Sequence, residues 1–359
     1  MFKVYQKYLI NSFLLKFLNI SIIFFCLTII LGILEEISFF KNLNVSVLYP
    51  YFLTILNTPI TLFEIFPFIF LLSSQFLFYD LFKKDELNLL KVNGLSNLKI
   101  IKILFLLSLF MGIFAVFIYY NLASVLKFHY TNIKNELSND NKYLAMAIDS
   151  GLWIKDEVDG KTLLVKSKYI KKQFLSKTIV NEFNSNFELI RTIQSNKIDI
   201  NDNSWIIYNP IITKDNITEK NNDTLILKTN FNEKKISNLF SNISTLNLVE
   251  LFNLKKDYEK LGYSSDEILV HLLKLFSMPL FYGVLTILSA TIMINFKRDK
   301  SLLFHVILGI LMSVIIFYMS FIFNSLGNNG KIPIYLSIFF PILIISLISI
   351  IGLIRINEK

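Results

Sequence analysis

Six long apolar runs govern what this chain can become. They lie at about Ile10–Leu34, Ile60–Phe78, Ile100–Val125, Ile268–Ile294, Leu302–Leu326 and Pro333–Ile354. Each is near the roughly 20 residues that an α-helix needs to cross a bilayer. In hydrocarbon the backbone N–H and C=O groups must bond one another, so such runs have to be helical. The composition agrees, with 53% hydrophobic residues, 35 phenylalanines and only 18% charged residues among 359, which is the profile of a membrane protein. The first run is too long for the apolar region of a signal peptide, and Glu35-Glu36 stands where small cleavage-site residues would be needed. It is expected to remain as an anchor.

Lysine and arginine in the short flanks set the orientation. One side carries Lys3, Lys7, Lys83, Lys84, Lys91, Lys99, Lys102, Lys297, Arg298, Lys300, Arg355 and Lys359, whereas the short loops of the other carry only Lys41 and Lys331. Both termini are therefore expected in the cytoplasm, and the long stretch between spans three and four outside. That stretch is polar, with alternating runs such as KTLLVKSKYI, SWIIYNPII and DTLILKTN between Asn- and Asp-rich turns at Asn201–Ser204 and Lys220–Asp223. The alternation predicts half-buried β-strands in a jelly-roll-like or sandwich domain, and LVELFNLKKDYEKLG after them reads as a helix. The fold class is thus an α-helical integral membrane protein of six spans with an all-β domain inserted between the third and fourth. Residues 1–126 hold the first three spans, 127–265 the outer domain and 266–359 the last three spans.

Two further patterns stand out. Spans two and six open with PITLFEIFPFIF and PIYLSIFFPILI, each with prolines spaced Pro-x7-Pro, at Pro59 and Pro67 and at Pro333 and Pro341. The first proline of each suits a first helical position, and the repeat reads either as duplication or as two ordinary helix starts. Between spans two and three, YDLFKKDELNLLKVNGLSNLK predicts a short charged helix over 80–93, capped by Asp80, stopped at Gly94 and followed by a fresh cap at Ser96. On a helical wheel Leu81, Phe82, Leu89 and Val92 share one arc, with Lys84 and Lys91 opposite and Leu87 and Leu90 off it. Such a helix is either gripped by a partner, with Glu86 as a polar contact, or lies on anionic headgroups.

Taken together, Glu86-Leu87 with Gly94-Leu95-Ser96, the string GLWIKD at Gly151–Asp156, the two Pro-x7-Pro starts and KLFSMPL at Lys274–Leu280 make the chain resemble the lipopolysaccharide export permeases LptF/LptG over nearly its whole length. The tryptophan string favours an LptG-like member. The resemblance implies a non-catalytic permease that pairs with a second, LptF-like permease and takes lipopolysaccharide from the inner membrane, in contact with membrane lipids. An LptB-like cytoplasmic ATPase dimer would grip the coupling helix, with Leu81, Phe82, Glu86, Leu87, Leu90 and Gly94 as its site, and an LptC-like jelly-roll bridge would receive the lipid. Spans one and five would line the lipid cavity. Family members of the LptG type carry basic residues near the outer end of span one. Here only Lys41 stands there, preceded by Glu35 and Glu36.

Other chemistry is sparse. Cys26 is the single cysteine, and His129, His271 and His305 have no helical pairing, so no metal site is expected. The nearest string to a P-loop, GNNGK at Gly327–Lys331, has the wrong spacing, so ATP hydrolysis is expected on another chain. No cofactor and no nucleic-acid partner are expected. Glu64 inside span two could face the lipid cavity, and with Lys41 it forms the candidate substrate site. Lys16 is read as snorkelling to the cytoplasmic face. His271 and Lys274 share a face that serves either a headgroup or water. Trp153 and Trp205 are read as packing residues. The alternative functions are a membrane-anchored receptor or scaffold with a β-sandwich sensor, and another ABC-type lipid or lipoprotein permease.

Overall fold

The structure, a computed structural model, describes residues 3–41, 46–137, 152–171, 173–214, 217–220, 223–240, 242–261, 264–295 and 301–357. Gly151, Lys297, Arg298, Lys300, Lys359 and the middle of the turn at 220–223, all singled out in the sequence, lie outside the described residues. The chain runs through α1 (Val4–Phe40), α2 (Leu48–Lys83), α3 (Glu86–Val92), α4 (Asn97–Phe114), a π turn (Ala115–Tyr119) and α5 (Tyr120–Leu137). Among the described residues nine strands follow: β1 (Leu152–Val158), β2 (Lys161–Lys171), β3 (Phe174–Phe183), β4 (Leu189–Ser195), β5 (Lys197–Asp199), β6 (Ser204–Tyr208), β7 (Ile211–Lys214), β8 (Ile217–Lys220) and β9 (Leu225–Lys228). Then come α6 (Glu233–Phe240), α7 (Leu248–Leu261), α8 (Asp266–Asn295), α9 (Leu302–Asn328) and α10 (Ile334–Asn357). The chain divides into two compact units, Met1–Tyr130 with Asp266–Lys359, and Thr131–Ser265.

Among the described residues the first unit contains six helical stretches long and apolar enough to cross a membrane. The first three outrun the apolar stretches read from the sequence, and the last three nearly match them. The 37 residues of α1 would rise about 55 Å, against roughly 30 Å of hydrocarbon. One expectation fails here. Because α2 starts at Leu48, Pro59 lies in its interior and not at a helix start. In the preceding turns the threonine hydroxyls fold back on their own backbone. Thr54 donates to the Pro50 carbonyl at 2.8 Å and Thr58 to that of Thr54 at 2.7 Å, so the polar side chains are satisfied within the helix. Pro333, by contrast, directly precedes α10, and its carbonyl accepts from the Ser337 N–H at 3.1 Å. The two motifs do not start their helices alike.

The core of this unit gathers Leu71 of α2, Val284, Leu285 and Leu288 of α8, Ile316 of α9, and Ile342 and Ile345 of α10. Phe70 stacks on Tyr282 with ring centroids 4.4 Å apart. Beside it Ser108 and Thr286 share a hydrogen bond of 2.7 Å, joining α4 to α8. Gly112 lets these two helices meet, because a Cβ there would stand 2.5 Å from the backbone Cα of Pro279. The π turn then shifts the register, with the Tyr120 N–H bonding the Ala115 carbonyl. Tyr119 reaches the Pro59 carbonyl at 3.1 Å, and the Tyr120 hydroxyl lies 3.0 Å from His271 Nε2. Burial is uneven. Half of the apolar stretch of α2 and 56% of that of α8 are buried, but only 11% for α1 and 17% for α9. Those two helices turn their apolar side chains outward.

The second unit is built on one antiparallel sheet that forks and curls. β1, β2 and β3 pair in succession. The far edge of β3 then pairs with β4 over Thr178–Phe183 and with β5 at Phe174 and Leu175. From β4 the ladder continues to β7 and β8, and from β5 to β6 and β9. The β1–β2 turn is Asp159-Gly160 with φ of 50° and 76°, the two-residue loop whose twist matches that of the strands. Alternation puts Leu152, Ile154, Leu163, Val165, Val180 and Ile193 inside. Trp205 is fully buried and donates its indole N–H to the Phe231 carbonyl at 2.7 Å. Trp153 is 47% exposed, with the Lys166 ammonium 4.6 Å from its ring centre, so it is not the packing residue expected.

Two carboxylates lock the sheet. Buried Asp156, the last residue of the tryptophan string, accepts from the Thr229 hydroxyl at 2.6 Å and the Asn230 N–H at 2.8 Å. It also accepts from the Asn230 side-chain amide and the Glu157 N–H, both at 2.9 Å. Glu182 on β3 holds Lys161 at 2.7 Å and Arg191 at 2.5 Å. Burial pushes the Glu182 carboxyl up, but the hydrogen bonds and charges of Lys161 and Arg191 outweigh it and hold the group below its ordinary range.

Three outcomes follow for the full-length protein in detergent. Gly112→Ala forces α4 from α8 against backbone that cannot yield, costing about 1–3 kcal/mol and lowering the thermal midpoint of the helical unit. Asp156→Ala strands several donors and destabilises the β unit by about 3 kcal/mol, read by tryptophan fluorescence in urea. A carboxyl held low in the folded state stabilises above its unfolded pKa, and that stabilisation is lost as pH falls through the folded pKa. The stability gap between wild type and Glu182→Gln is therefore constant above about pH 5 and closes on acidification.

Candidate functional site

The segment after α2 is not the continuous helix over 80–93 that the sequence suggested. α2 keeps its geometry through Lys83, so Asp80 lies in its last turn and caps nothing. At the join, the Lys84 N–H bonds the Asp80 carbonyl at 3.0 Å and the Asp85 N–H that of Phe82 at 3.1 Å. Asp85 adopts φ 56°, a left-handed conformation that aspartate tolerates better than most residues. Asn88 donates to its carboxylate at 2.8 Å. Only then does α3 begin, at Glu86.

The break changes which side chains face where. Leu81 and Leu87 are buried, Phe82 and Leu90 half-buried, and Leu89 and Val92 are 59% and 87% exposed. The shared arc of Leu81, Phe82, Leu89 and Val92 therefore does not exist, since a wheel assumes unbroken helical phase. Leu87 anchors α3 instead, and Leu89 and Val92 project from it between exposed Lys84 and Lys91. The stop is as the sequence indicated. Gly94 takes φ 81°, its N–H bonds the Lys91 carbonyl at 2.9 Å, and the Leu95 N–H bonds the Leu90 carbonyl at 3.0 Å. This pair of bonds closes a helix end that needs a left-handed residue. Ser96 then caps α4, accepting from the Lys99 N–H at 3.4 Å.

Glu86 occupies the first position of α3, where a carboxylate complements the helix dipole. It is half-buried and accepts a short hydrogen bond from the Tyr8 hydroxyl of α1. Lys16, also on α1, forms an ion pair with Asp80, so snorkelling is not its role. Neither Tyr8 nor the Lys16–Asp80 pair was singled out as a contact in the sequence. A tyrosine in the first turns of a span carries no periodic signal, and pairing across 64 positions leaves none either.

A second feature is a cavity of about 270 Å³ between α2, α8, α9 and α10. Phe68, Phe281, Phe317 and Phe321 make it mostly apolar, while Glu64, Lys274, Ser277 and Asn324 give it polar groups. Pro67 and Pro341, the second prolines of the two motifs, both line it. Each lacks the N–H that would bond the carbonyl four residues back. Lys41 does not line this cavity and sits exposed at the end of α1, so the structure does not bring Lys41 and Glu64 together. Of the two acids preceding Lys41, Glu35 is exposed, but Glu36 is buried and accepts from the Tyr130 hydroxyl at 2.7 Å. Only Glu35 competes with Lys41 at the surface. Among the described residues no three His, Cys, Asp or Glu side chains gather to hold a metal.

The sequence matches the family model for the lipopolysaccharide export system permease LptF/LptG over residues 7–355. No curated protein matches it. With six apolar helices, an inserted curled β-sheet and a match over nearly its whole length, the chain belongs to the LptF/LptG family, multi-pass inner-membrane permeases of lipopolysaccharide transport.

Proposed function

We propose that this chain is an LptG-like half of a paired permease, driven by a separate ABC ATPase dimer that grips α3 from the cytoplasm. The observation that carries the reading is the pair Leu89 and Val92, two large apolar side chains exposed on a seven-residue helix. That helix is fixed by buried Leu87 on one side and by the Gly94 stop on the other. Burying such side chains in a partner's groove is worth about 1.5–3 kcal/mol each. Lys84 and Lys91 beside them suit an acidic rim.

The outward-facing apolar surfaces of α1 and α9 support pairing with a second permease, because these are the least buried of the six spans. With both termini in the cytoplasm, the β unit is periplasmic and hands lipopolysaccharide to an LptC-like bridge. Its terminal strands among the described residues, β1, β8 and β9, suit the addition of another β-domain. Glu64 and Lys274, in the apolar cavity, would meet charged parts of the lipid, and Lys41, apart from it at the end of α1, a headgroup phosphate. ATP-driven movement of α3 narrows the space between the two permeases and drives the lipid outward.

A mild-detergent pull-down with mass spectrometry tests the reading. A Walker-motif ATPase and a second six-span permease should accompany the wild-type chain. Leu89→Asp with Val92→Asp should remove the ATPase while the protein still inserts, and Glu86→Lys should loosen it and abolish export. A chain that purifies with periplasmic proteins alone, or whose export survives Glu86→Lys, would leave a membrane-anchored receptor as the better account.

A further inference from the structure

α1 packs along α2, so it can be moved only through that helix or through ties that bypass it. Its apolar stretch is the least buried of the six, and in lipid apolar contacts hold a helix no better against protein than against acyl chains. What fixes its N-terminal half is a narrow seam. Leu9, Phe13 and Ile20 are buried, and the Phe17 ring sits 4.9 Å from that of Phe70 on α2. Beside this seam run two polar ties, Tyr8 to Glu86 and Lys16 to Asp80.

The placement of these ties is informative. Asp80 lies on the α2 side of the Lys84–Asp85 break and Glu86 on the α3 side, so α1 spans the joint between them. Tyr8 and Lys16 lie eight residues apart on neighbouring faces, a lever of about 12 Å along the axis. One tie is an ion pair between side chains 30% and 32% exposed, Lys16 and Asp80, and the other is a neutral phenol donating to a carboxylate, Tyr8 to Glu86, both stronger than a hydrogen bond between two neutral groups. Ties that served only as glue could both sit on the rigid side of the joint.

We propose that Tyr8 and Lys16 form a clasp that converts rotation of α3 about the Asp85 joint into tilting of α1. Lys16–Asp80 is the fulcrum and Tyr8–Glu86 the point of pull. The two are positioning residues. They touch neither the ATPase nor the lipid, and they determine whether movement at α3 reaches a span that faces outward into lipid or a partner. The clasp rests on the ATP-driven reading above.

The test uses the complex as it purifies, reconstituted in proteoliposomes with lipopolysaccharide, and reads two quantities: ATP turnover and lipid released per ATP. If wild type purifies without an ATPase, the ATP-driven reading falls and the clasp with it, before any variant is made. If the ATPase is present, Tyr8→Phe with Lys16→Met should keep it and hydrolyse ATP within about twofold of wild type, while lipid per ATP falls about tenfold. Lys16→Arg should preserve the ratio, and the exchange of Lys16→Asp with Asp80→Lys should restore it in the Tyr8-intact chain. A double variant with unchanged lipid per ATP overturns the clasp, as does one whose ATP turnover and transport fall together. Should the double variant fail to assemble, Tyr8→Phe alone decides, by a fall of about threefold or by none.

Discussion

In hydrocarbon, a leucine gains little by choosing a protein neighbour over a lipid tail, so apolar burial alone cannot decide where six spans stand. Position is left to close approach and to the few polar groups the sequence admits. Both are visible in the helical unit. Gly112 lets α4 touch the Pro279 backbone, and Gly309 stands directly against the buried Gln75 amide. Ser108 and Thr286 join α4 to α8, Tyr120 meets His271, and Glu36 accepts from Tyr130. Many of the remaining hydroxyls within the spans fold back on their own helices, as Thr58 does on Thr54 and Ser349 on Ile345, which satisfies them without committing the helix to a neighbour. The polar residues between helices are therefore the main determinants of packing, although they are a small part of the composition.

How much of this the sequence disclosed follows from the range over which each signal acts. Hydropathy sums over a whole span, so the six helices and the β insertion could be read from it. Alternation within a strand is equally local, and one face of the sheet is buried as the pattern implied. The helix stop at Gly94 and the new cap at Ser96 are chemical signals carried by single residues. Where the reading failed, the missing information was conformational or distant. The apolar run opens at Ile60 and Pro59 suits a helix start, yet α2 begins at Leu48 and carries Pro59 in its interior. A helical wheel assumes constant phase, and nothing in KKDE announces that Asp85 takes a positive φ and resets it. The π turn that aims Tyr119 and Tyr120 has no sequence mark either.

The same distinction bears on the site. Leu87 falls outside the apolar arc only on a wheel that runs through the break, and it is the residue that seats α3. Once phase is reset at Asp85, the division of labour is simple. Leu81 and Leu87 hold the two helix ends against the bundle, and Leu89 and Val92 are left over. In the proposed function these two exposed side chains are the surface that a partner's groove would cover.

The break also changes what a push on α3 can do. Had 80–93 been one helix continuous with α2, force at its end would be shared along 36 residues of well-packed α2 and spent against the most crowded part of the bundle. In the clasp proposed above, α3 turns about the left-handed residue between the two, and the span it then reaches is α1, whose apolar stretch is the least buried of the six. The cavity lined by Pro67 and Pro341 lies elsewhere, among α2, α8, α9 and α10. There each proline leaves a carbonyl without its helical donor and so gives the surrounding helices a place to bend. On the proposed reading, movement is concentrated at Asp85 and at these prolines, which is what a permease that opens to a bulky lipid and closes behind it requires.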